Sequence, residues 1–172
     1  MSIKHKGISA TWLAILSGVS MMANAASSAD VTLTGIITST TCDVTVNNAK
    51  ATLNVGVFKS GDFTANTQQG SVPLPVELTN CENESGALII QGVTASANPG
   101  KQLFTAATED TVGFMIKTSD NASQVAVDEN VALDVTSAGA NAYTFNVGMG
   151  STTLTPAAGA YSAPITVAYI VN

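Results

Sequence analysis

The sequence predicts an all-β sandwich, and three observations carry the prediction. Apolar residues recur with a period of two in run after run, as in Val72, Leu74, Val76 and Leu78, and no stretch of the exported chain sustains a helical period. The runs return roughly every ten to twenty residues, divided by turn signals such as Asn47-Asn48 and Asn98-Pro99-Gly100. Only 10% of the residues are charged, against 45% hydrophobic, and Thr, Ser, Ala, Val and Gly are abundant. Such a composition suits strands that face other protein.

The elements follow in order. Lys4, His5 and Lys6 precede an apolar run from Ile8 to Met22, and Ala23-Asn24-Ala25 supplies a small-x-small cleavage site. This is the pattern of a secretory signal peptide over residues 1–25, too short for a membrane span, so the mature chain is expected to begin at Ala26. Val31 to Ile37 alternates and continues past Cys42 through Val44 and Val46, giving a first strand. Ala51 to Val57 alternates and predicts another, ahead of a polar loop from Lys59 to Gly70. Val72 to Leu78 alternates strictly, and Pro73 and Pro75 place it at an edge or a strand start. Ala87 to Val93, Val112 to Ile116 with Phe114 in the core, pieces of Val125 to Val135, and Tyr143 to Met149 complete the middle. From Tyr161 to the end the odd positions Ile165, Val167, Tyr169 and Val171 are apolar or amphipathic. That is a terminal strand with one buried face, and each buried side chain is worth roughly 1.5–3 kcal/mol. No repeat or internal linker interrupts residues 26–172, which form one domain.

Charge and chemistry exclude several functions. Beyond residue 25 the cations are Lys50, Lys59, Lys101 and Lys117, against 12 carboxylates, and the whole chain lacks arginine. Nucleic acid and anionic membrane surfaces both require a cationic footprint that is missing here. The sole histidine, His5, lies in the signal segment, so neither a Ser-His-Asp nor a Cys-His arrangement is available to the mature chain. The pairs Glu82/Glu84, Glu109-Asp110 and Asp128-Glu129 stand among Asn, Ser and Thr as solvated loop charges, and Asp120-Asn121-Ala122-Ser123 lacks the spacing of a calcium loop. No enzyme activity, metal or cofactor is expected. Cys42 and Cys81, an even pair in an exported chain, predict one disulfide worth about 4 kcal/mol in the loop-entropy model.

Several motifs together resemble those of chaperone–usher pilins, the fimbrial subunits of Gram-negative bacteria. They are Gly35-Ile-Ile-Thr-Ser-Thr-Thr-Cys42, the second cysteine after Val76-Glu-Leu78-Thr-Asn-Cys81, the strand Thr111 to Ile116, and Gly159 fourteenth from the end. The resemblance implies an incomplete immunoglobulin-like β-sandwich, completed by a donor strand from another chain, first a periplasmic chaperone and then a neighbouring subunit at an outer-membrane usher. Strand addition of this kind, for which chaperone–pilin complexes are a standard example, joins main chains by hydrogen bonds and selects through side-chain pockets. Carried onto this chain, Gly159, Ile165, Val167, Tyr169 and Val171 would edge the groove, and Val31 and Leu33 would lie in the donated strand. The implied function is a structural subunit of a surface fimbria serving adhesion, with a host receptor as a further partner. Two features depart from the pattern. The family carries tyrosine next to last, where this chain has Val171, and the extension before the first strand, about residues 26–33, is short for a donor strand of roughly ten residues. The alternative is therefore a tip subunit or adhesin that accepts a strand without donating one.

Overall fold

β3 (Glu84–Thr94) is the strand that joins the two layers of the molecule. The computed structural model describes Ile37 and residues 39–171, which belong to a single compact unit. Ahead of β3 come β1 (Asp43–Val46) and β2 (Gln69–Thr79); after it come β4 (Phe104–Thr105), β5 (Val112–Lys117), β6 (Val131–Val135), β7 (Asn141–Ser151) and β8 (Ile165–Val171). The first layer runs β1-β2-β7-β5-β4, and the second has β3 between β6 and β8; every pairing is antiparallel. Gly86 to Gly92 of β3 pair with β8, while Val93 and Thr94 turn to β4 in the other layer.

The period of two fills the space between the layers. On β2, Leu74, Val76 and Leu78 are buried while Pro73, Glu77 and Thr79 are exposed, and on β7 Phe145 stands opposite Leu74. Leu88 and Ile90 of β3 meet them from the second layer, in one cluster with Ile116, Phe145 and Tyr169. β1 reaches β2 only from Val76 to Thr79, so Pro73 and Pro75 fall on the part of β2 that has β7 alone as a neighbour. There a residue without an N–H disturbs no ladder, in keeping with the edge position the prolines predict. Cys42 and Cys81 form a disulfide that ties the start of β1 to the turn after β2.

Three expectations from the sequence need correction or a limit. Ala51 to Val57 alternates but forms no ladder: β1 ends at Val46, a single 3-10 turn follows over Asn47–Ala49, and no described strand pairs with the residues after it. Ile37 and Ser39 to Cys42 carry no strand either, and the first ladder starts at Asp43; residues 1–36, including the signal segment, Val31, Leu33 and Gly35, lie outside the described residues. The terminal ladder begins at Ile165 rather than near Tyr161, since β3 has by then crossed to β4 and Pro164 offers no N–H.

Candidate subunit-binding groove

β8 pairs with β3 along one edge, and no described strand pairs with its other edge. Among the described strands β1 likewise pairs with β2 alone. Between these two edges lies an open groove made of two cavities of about 420 and 580 Å³, which share Thr52, Leu53, Val55, Phe114 and Tyr161. One wall is the unpaired stretch 51–58, and the other is 156–167, leading into β8. The floor belongs to the core: Leu74 of β2, Phe114 and Ile116 of β5, Val147 and Met149 of β7. Among the described residues lining either cavity, Lys50 alone is charged.

The groove is a stretch of core without a cover. Leu53, Phe58, Phe114, Met149, Ile165 and Val167 all pack against the buried cluster yet stay only partly buried. An uncovered apolar trough beside unpaired main-chain groups is a template for an extended segment. The main chain of β8 offers hydrogen bonds, and the cavities offer space for alternate side chains. Among the described residues no group of three possible metal ligands exists.

The residues singled out from the sequence occupy different places. Ile165 and Val167 line the smaller cavity and Gly159 the larger one. A Cβ at Gly159 would touch only the Tyr161 ring, at 3.6 Å, so the chain's own packing does not require glycine there. Tyr169 lines neither cavity: it is 1% exposed, and its hydroxyl donates to the Leu133 carbonyl at 3.0 Å. Burial pushes its phenol above the ordinary value, and the negative charges of Glu84 and Asp134 add to that. Val171, half-buried opposite Gly86, also stands outside both cavities. Val31 and Leu33 lie outside the described residues.

Sequence reasoning missed the stretch 51–58 as a groove wall, reading its alternation as a paired strand. Phe114, expected in the core, packs against the buried cluster and also forms part of the floor of both cavities, which the sequence did not reveal. Tyr161 was visible in the terminal alternation. Its position depends on a loop closed by its hydroxyl donating to the Ala157 carbonyl at 2.7 Å, which periodicity does not reveal.

The geometry thus defines a two-layer immunoglobulin-like sandwich with one uncovered strand position. Comparison with known proteins finds no matching family model and no matching curated protein. Solved structures do match. A subunit in a structure of a chaperone–usher pilus, concerned with rod uncoiling, superposes with a TM-score of 0.60 at 16% identity, covering 84% of this chain and 96% of that one. The P pilus rod subunit PapA gives a TM-score of 0.60 at 14% identity, over 77% of this chain and 99% of its own. An antigen and type I fimbria protein of Burkholderia pseudomallei follows at a TM-score of 0.48 and 18% identity, over 76% and 92% of the two chains. The chain has the fold of chaperone–usher pilus subunits.

Proposed function

We propose that this chain is a structural subunit of a surface fimbria, exported through the periplasm and built into the fibre by donor-strand complementation. The observation that carries this reading is the groove: an apolar trough, flanked by the unpaired edges of β1 and β8, in a sandwich of pilus-subunit fold. A periplasmic chaperone would fill it first, and the N-terminal segment of a neighbouring subunit would replace that strand at an outer-membrane usher. Val31 and Leu33 are the apolar residues proposed to enter the cavities, with Gly159, Ile165 and Val167 as the receiving wall. Adhesion is the role of the assembled fibre.

A fibre-forming subunit is favoured over a strand-accepting tip subunit by the late start of β1. With Thr40 and Thr41 held by Glu84 and the first described ladder at Asp43, the proposed mature chain from Ala26 to Ser39 supplies about fourteen residues, roughly 46 Å if extended. That exceeds the length of β8 and meets the need that the extension from 26 to 33 left unmet.

The test is a peptide copying residues 26–37 added to purified subunit lacking that segment. At a hundredfold excess over its dissociation constant, one-site binding stabilises by about 2.7 kcal/mol, a rise in Tm of roughly 8 °C for a chain of this size. A peptide carrying lysine in place of Leu33 should give little rise. A subunit that melts as a stable monomer, indifferent to the wild-type peptide, would contradict the proposal.

A further inference from the structure

Glu84, the first residue of β3, grips the chain just ahead of the disulfide. Its carboxylate accepts hydrogen bonds from the Thr40 hydroxyl at 2.6 Å, the Thr41 N–H at 2.9 Å and the Thr41 hydroxyl at 2.7 Å. Both hydroxyls are used twice: Thr41 Oγ1 accepts from the Glu82 N–H at 2.8 Å, and Thr40 Oγ1 accepts from the Cys42 N–H at 3.1 Å. Immediately before this grip, Ile37 and Ser39 are exposed and in no ladder. The disulfide by itself fixes Cys42 and leaves the main-chain bonds before it to rotate. Two carboxylate oxygens holding two successive residues remove that rotation, and hydrogen bonds to an ionised acceptor are the strong ones.

We propose that Glu84 is a positioning residue, an acid-sensitive clasp that fixes the main chain at Thr40 and Thr41 just ahead of the disulfide. Its use in assembly rests on the donor-strand reading above, whereas the clasp itself does not. The groups around it are acidic or neutral. Glu82 stands in the adjoining turn, and Asp134 of β6 lies beside Glu84 in the field felt by Tyr169 of β8, whose hydroxyl reaches the Glu84 carbonyl at 3.5 Å. The ionised form is held by hydrogen bonds, the Thr40 hydroxyl first and then the Thr41 N–H and hydroxyl, which keep the carboxyl below its ordinary range. A lowered carboxyl stabilises the structure above its unfolded value and stops doing so as pH falls through the folded value. Acidification therefore opens the clasp.

The test uses the full exported chain with the disulfide intact. Hydrogen exchange at the Thr41 amide, corrected for its intrinsic pH dependence, is followed from neutral pH to about pH 3, below the usual carboxylate range. E84Q and E84A should accelerate this exchange about tenfold or more at neutral pH and should flatten its pH profile. T41V, which keeps the N–H bond, should accelerate exchange less and retain the profile. Thr41 exchange unchanged in E84Q, or rising only in step with global unfolding, would overturn the clasp. Binding of the 26–37 peptide to the groove is measured alongside in the same variants. Its failure in wild type would count against the donor-strand reading while the exchange result still judges the clasp.

Discussion

Tyr169 reaches the core because Gly86 lets it. A Cβ on Gly86 would collide with the Ile170 carbonyl and come within 2.7 Å of the Tyr169 ring, so the missing side chain is the space the phenol passes through. Gly86→Ala should cost about 2 kcal/mol or more by forcing β3 and β8 apart, read as a lowered urea midpoint at constant m-value. Tyr169→Phe keeps the ring and removes the donor to the Leu133 carbonyl, at a cost of about 1 kcal/mol. Tyr169 lines neither cavity, so Tyr169→Phe should leave peptide affinity nearly unaltered once the lost stability is allowed for. Val167→Lys is the converse: at this half-buried groove position a charge should weaken peptide binding at least tenfold, by titration, beyond whatever stability is lost from the core contacts of Val167.

At the scale of elements, alternation made most strands legible and misled where burial and pairing part company. The runs at 72–78, 112–116 and 143–149 lie within β2, β5 and β7 because a buried neighbour lies on one face and a hydrogen-bonded strand on each side or one. The run at 51–57 has the same period for a different reason: Leu53 and Val55 line the groove while no strand lies alongside. Period two records one-sided burial, and pairing has to be learned from the structure. The crossing of β3 between layers is equally silent in sequence, and it decides where β8 begins. Of the candidate site, Ile165 and Val167 were readable from the terminal strand, whereas the exclusion of Tyr169 depends on the hole at Gly86. The cysteine pair was legible from count and compartment, and its loop spans 39 residues. Replacing both cysteines by serine should destabilise the subunit by about 4 kcal/mol, measured by denaturant titration against the oxidised chain.

For the whole molecule, the sandwich is asymmetric in what its edges invite. Removing residues 26–36 should give a subunit that still captures peptide but no longer self-associates, as light scattering would show. The remaining edges are poor partners. β6 is five residues long with Asp134 exposed, and β2 presents Pro73 and Pro75 where β1 falls short. Short, charged or proline-bearing edges resist unplanned pairing. On the donor-strand reading proposed above, each unit would have a functionality of two, one insertable end and one receptive slot, and monomers of functionality two grow into unbranched chains. The two prolines of β2 would thus matter to the shape of a filament many subunits long: with a third reactive edge open, the same chemistry would set into a gel.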